Sequence, residues 1–145
     1  MDTLFPKRSL RLVLLLAAIY VLVGLLFGKF AEWATSSAMQ LFWRKMAWVV
    51  SGAAFAAQIA YGHFRFGNPR MVIAIHAGAA AALGGCGLAV AANVHELMSD
   101  AGYRPRMVLA LVLWPLLTGL PAFIVAIVAA AVLERWRRSG QLARS

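Results

Sequence analysis

Charge is what this chain lacks where most of its length lies. No Asp, Glu, Lys or Arg falls within 12–27, 47–61, 71–94 or 107–133. Only 13% of the 145 residues are charged, against roughly 25% in a soluble domain, and 63% are hydrophobic. Mean hydropathy is +0.78. The missing charges are those that would cover a soluble surface, so the sequence predicts an integral membrane protein. Carboxylates are scarcest, with five Asp and Glu in all. Proton-coupled carriers place Asp or Glu in the bilayer because function repays the cost there, and acid–base catalysis needs paired carboxylates. Glu32, Glu96, Asp100 and Glu134 all fall at or beyond the ends of the apolar stretches. A small multidrug exporter would carry an acidic residue in its first stretch, which this chain does not.

Cysteine is nearly absent too. Cys86 is the single one, which excludes an internal disulfide, a CxxC redox pair and the membrane disulfide-forming oxidoreductases. Neither a phosphate-binding glycine loop nor a zinc-ligand spacing occurs. The sequence thus gives no catalytic residue, no metal site and no enzyme class.

A membrane-crossing helix needs about 20 mostly apolar residues. Four fit, at 10–29, 41–62, 71–94 and 107–133, in one four-span domain over 1–145 with a basic tail at 134–145. The predicted fold class is all-α, an up-down bundle of four transmembrane helices. The second span is the weakest; it must begin near Leu41, with Arg44 and Lys45 snorkelling to an interface. The first apolar run is long for a cleaved signal segment, and Ala31 and Ala34 make a poor cleavage site, so it reads as a retained span. Segment 29–46 has two readings: a short interfacial helix, from Phe30, Ala34, Ala38, Leu41 and Phe42 at helical spacing, or the ends of two spans.

The net charge of +9 would suggest nucleic acid in a soluble protein. Here the basic residues flank apolar stretches, where they bind anionic headgroups and set orientation. No nucleic-acid partner is expected. The anchors are Lys7, Arg8, Arg11, Arg135, Arg137 and Arg138. With Arg65, Arg70 and Arg144 they make nine basic residues on one side, against Lys29, Arg44, Lys45, Arg104 and Arg106 on the other. The excess predicts both termini in the cytoplasm of a cell membrane, most simply a bacterial inner membrane.

Helices in lipid associate by close packing, which small residues at i and i+4 permit. Each span has such a row: Gly24 and Gly28; Gly52 and Ala56; Gly78 and Ala82, then Gly85; Ala122 and Ala126. They suit packing within a subunit or between subunits. Pro115 and Pro121 lie near the middle of the fourth span, where each frees a carbonyl one turn earlier, giving a static kink or a hinge.

Two histidines complete the candidates. Histidines on facing helices can ligate haem iron, and His63 and His76 are the weak candidates for haem b, although their depths match poorly; no cofactor is predicted. A hydrogen bond from His76 to Gln58, at similar depth across the 64–70 turn, is the expected contact. At ~100° per residue the row Ala74–Gly78–Gly85 points nearly opposite to His76, so one or the other is expected inside. Cys86 is expected as a small buried hydrophobe and Asn93 as a cap. The expected function is a non-catalytic helix-packing subunit of a homo-oligomer or larger membrane complex. The alternatives are a small transporter or channel lined by the fourth helix, and a redox protein built on His76.

Overall fold

The computed structural model describes residues 7–98 and 105–142, which form four helices: α1 (Lys7–Trp33), α2 (Ser37–Phe66), α3 (Arg70–Met98) and α4 (Pro105–Leu142). No strand occurs among the described residues. Three stretches are long and apolar enough to cross a membrane: Ser9–Trp33, Arg70–Met98 and Val108–Arg137. α2 has the length but is the more polar helix, with Arg44 and Lys45 near its start and Ser51 and Gln58 further along.

No separate interfacial helix forms between the first two helices. α1 runs through Lys29 to Trp33, and α2 begins at Ser37, so only Ala34–Ser36 break the path. Ser36 stops the chain from continuing as one helix. Its backbone is extended, and its side-chain oxygen accepts from the Met39 N–H at 3.3 Å, satisfying a donor that a helix start leaves open. Of the residues at that spacing, Phe30 and Phe42 join a ring cluster around Trp43. Trp43 of α2 lies 5.1 Å from Phe30 and 5.9 Å from Phe27 of α1, centroid to centroid.

The second turn is tighter. Gly67 adopts φ 59 and ψ 27, a left-handed conformation that glycine reaches without penalty. Its N–H and that of Asn68 both reach the Gly62 carbonyl. Pro69 then precedes α3 and prevents α2 from running on.

α3 is the centre of the molecule. It packs most extensively on α4 and next on α1, while α2 packs chiefly on α1. Within the most apolar 18-residue window of each helix, 39% of residues are buried in α3, against 17% in α1 and 17% in α4. Glycine makes this burial possible on two faces, set about 100° apart at the neighbouring Gly84 and Gly85. Toward α1, a Cβ added at Gly84 would sit 2.8 Å from Tyr20 Cβ, and the Leu88 side chain fills the space beside Gly24. Toward α4, a Cβ at Gly78 would meet Phe123 Cβ at 3.0 Å and the Gly119 carbonyl at 3.2 Å, and one at Gly119 would meet Ala82 Cβ at 2.8 Å. A Cβ at Gly85 would collide with Thr118 Oγ1. The pairs Tyr20–Gly84 and Gly24–Leu88 run in the same direction, and Gly78–Phe123 and Gly85–Thr118 in opposite directions. The remaining core joins Ile59 of α2 to Ile73, Ala74 and Ala77 of α3 and Ala126 and Ala130 of α4.

α4 passes through Pro115 and Pro121 as one unbroken helix. Between them, Thr118 Oγ1 lies 2.8 Å from the Trp114 carbonyl and 3.1 Å from the Ala81 carbonyl of α3. Its hydroxyl therefore bonds locally or across to α3 in the stretch the prolines weaken. The helix also continues past the apolar stretch, so the basic segment is helical as far as Leu142.

Leucine at Gly78 or Gly85 should destabilise the fold by about 1–3 kcal/mol, the usual cost of overpacking. Leu83→Ala, on a face that leaves Leu83 45% exposed, and Gly28→Leu, where nothing lies within 4 Å, should change stability far less. Thermal unfolding of the four purified variants checks this. Wild-type stability in both Gly78→Leu and Gly85→Leu would contradict the packing described.

Candidate functional site

The N-terminal end of α1, the 67–69 turn and the last third of α4 meet at one end of the molecule. Ser9 and Asn68 line one cleft there, and Arg70 Nε is 3.2 Å from Glu134 Oε2. The basic residues Arg11, Arg65, Arg70, Arg135 and Arg137 gather around this end on exposed positions. The side chains of Lys7, Arg8 and Arg138 lie outside the described set.

α2 packs only sparsely on α3 and α4, and two clefts open at this end. The first lies between α1, α2 and α3 and has a volume of about 50 Å³. Leu12, Val13, Leu16 and Ile73 wall it, with Gln58 and His76 as its deeper polar groups. His76 is 8% exposed and Gln58 half-buried. The expected neighbours thus share a cleft, and Gln58 Oε1 accepts from the Tyr20 hydroxyl at 3.5 Å. A tyrosine among leucines gives a sequence reader little reason to single it out. Its signal is the hydroxyl, which needs a partner when buried.

The second cleft lies between the α2–α3 turn and α4. It is larger, about 240 Å³, and lined by His63, Gly67, Asn68, Pro69, Glu134 and Arg137. His63 is 4% exposed, and its Nε2 is buried with no hydrogen-bond partner. Its ring meets Phe64 edge to face at 5.0 Å between centroids. The two histidines line different clefts, so the structure does not bring them together as a ligand pair. Among the described residues no group of three or more His, Cys, Asp or Glu side chains is arranged to hold a metal ion.

The expectation that either His76 or the Ala74–Gly78–Gly85 row would face inward is corrected. His76, Ala74, Gly78 and Gly85 are all buried, because α3 is covered by α1 on one side and α4 on the other. The small-residue rows divide in two. Gly24, Gly78, Ala82 and Gly85 sit at helix contacts, Ala126 is fully buried and Ala122 half-buried. Gly28, Gly52 and Ala56 are exposed, and nothing lies within 4 Å of a Cβ added at Gly28 or Gly52. Among the described residues, α1 and α2 thus turn these three positions outward. Asn93 lies within α3 rather than at its end, and its side chain donates to the Ala89 carbonyl at 2.8 Å. Cys86 is half-buried.

No family model matches the chain, and no curated protein or solved structure is detectably similar to it.

The Tyr20–Gln58 contact can be isolated by a double-mutant cycle. Tyr20→Phe and Gln58→Leu should each cost little, with a coupling of about 0.6 kcal/mol, typical of bonds between helices in lipid. Thermal unfolding of wild type, both single variants and the double variant measures it. Strictly additive losses would show that the two side chains do not interact.

Proposed function

We propose that the chain is a multi-pass protein of the cell membrane, an up-down four-helix bundle that works as a non-catalytic subunit of a homo-oligomer. The observation that carries this reading is the outward face of α2. Along it Trp48, Val49, Gly52, Ala53, Ala56, Ala57, Tyr61 and Phe64 are all exposed. The middle of the stripe is built only of glycine and alanine at i and i+4, and aromatic or bulky residues bracket it. The other outward faces are different. α1 presents Leu14, Leu15, Leu22, Leu25 and Leu26, and α4 presents Leu113, Leu117, Leu120, Ile124 and Val128.

Large apolar side chains suit lipid tails, and water would not tolerate apolar faces of that extent. A glycine and alanine face suits another helix, because backbones can then approach closely. α2 is also the helix that falls short in apolar character, so a protein neighbour would relieve it of lipid contact. The bundle end at 7–11, 65–70 and 134–138 faces the cytoplasm on this reading, since basic residues concentrate there. α4 plays a structural part, with Thr118 seated between the prolines against the glycine notch of α3, and this favours a static role over a channel lining.

Two measurements test the proposal. Reporter fusions after Ser145 and within 96–106 should report the cytoplasm and the opposite compartment respectively. Wild type in gentle detergent should run as an oligomer that Gly52→Leu or Ala56→Leu dissociates without loss of helix content. A monomeric wild type, or an oligomer indifferent to both substitutions, would sink the reading.

A further inference from the structure

The larger cleft has a polar lining, it lies at the basic end of the bundle, and its volume of about 240 Å³ exceeds a water's share of about 30 Å³ several times over. Two side chains there have capacity to spare. His63 Nε2 is buried without a hydrogen-bond partner, an arrangement that calls for a bound water or ligand. Arg137 lines the same cleft and pairs with no carboxylate among the described residues. The one carboxylate in the lining, Glu134, is engaged by Arg70 at 3.2 Å, so the balance of charge in the cleft is positive.

The backbone adds to this balance. Gly67, Asn68 and Pro69 form one wall and lead directly into α3. α3 has no acidic residue in its own first turn, so the positive end of its dipole adds to the positive side of this balance. The carbonyl of Gly62, near the end of α2, is already taken by the N–H groups of Gly67 and Asn68.

We propose that this cleft is a phosphate-binding site, with the Arg137 guanidinium as the charged contact and His63 and the Asn68 amide as the neutral ones. The phosphate comes from the headgroup of an acidic phospholipid or from a soluble anion. The lipid source rests on the membrane placement proposed above; the soluble source does not.

The test uses delipidated full-length protein and the variants Arg137→Gln, His63→Gln and Arg135→Gln. Arg135 is exposed on the same helix but does not line the cleft, so its variant reports diffuse surface attraction. One arm measures retention of phosphatidylglycerol over phosphatidylcholine by native mass spectrometry. The other measures the rise in melting temperature caused by inorganic phosphate in an uncharged detergent.

Arg137→Gln should lower phosphatidylglycerol preference by about fivefold, the factor that ~1 kcal/mol per basic residue at an anionic surface represents. Arg135→Gln should leave it near wild type. Phosphate stabilisation that Arg137→Gln abolishes, with no lipid preference, assigns the soluble source and leaves the site standing. His63→Gln should weaken whichever response the wild type shows; if that variant does not fold, Arg137→Gln decides. Equal losses in Arg135→Gln and Arg137→Gln, an unchanged response in Arg137→Gln, or no response of the wild type in either arm overturns the proposal.

Discussion

The close approach of α3 to its neighbours is the constraint on which the rest of the structure depends. It exists because α3 presents hydrogen where other helices present carbon. Gly78 and Gly85 admit Phe123, the Gly119 carbonyl and Thr118, and Gly84 admits the Tyr20 side chain. Among apolar surroundings, burial of leucine against leucine gains little, and packing at short range becomes the main source of association. A methyl group at Gly84 or Gly85 would force Tyr20 or Thr118 to shift, and one at Gly78 would crowd Phe123. The Thr118 hydroxyl, within reach of the Ala81 carbonyl, adds a directional contact at the same place.

Centring the bundle on α3 has consequences for α2. With α1 and α4 occupying both faces of α3, α2 is left to pack mainly on α1, through Trp43 at one end and Gln58 at Tyr20. It rejoins the core only near its C-terminal half, where Ile59 meets Ile73. Sparse packing of α2 on α3 and α4 leaves Gly52 and Ala56 exposed and goes with the clefts at the bundle's basic end. The ion pair from Arg70 to Glu134 ties the start of α3 to the end of α4 beside that cleft. Both partners are partly exposed, so its contribution to stability is small.

Much of the helical plan was legible in the sequence. Four uncharged apolar stretches correspond to four helices, and the stretch marked as weakest is the one that falls short of membrane-crossing character. The turn at Gly67 was legible for a local reason, since Gly-Asn-Pro both ends one helix and starts the next. What depends on tertiary neighbours was not legible. Helical angles placed His76 opposite the Gly78 row correctly, but only the packing order reveals that both faces are covered. Small-residue spacing is the same at Gly24 and Gly28, and only Gly24 meets another helix. The spacing in 29–46 suggested an interfacial helix because the ends of two long helices, α1 to Trp33 and α2 from Ser37, carry helical periodicity too. Tyr20 escaped notice because its partner lies 38 positions away.

The central claim is that the outward glycine–alanine face of α2 meets a second copy of the chain. Cys86 is the only native cysteine, so a Cys86→Ala background leaves the chain free of thiols. In that background a single cysteine is placed at Ala56 on α2 or at Leu117 on the exposed face of α4, and native membranes are oxidised under mild conditions. The account predicts a disulfide-linked species of twice the chain mass from the Ala56 position and none from the Leu117 position. Equal linkage at both positions, or linkage at Leu117 alone, would contradict it.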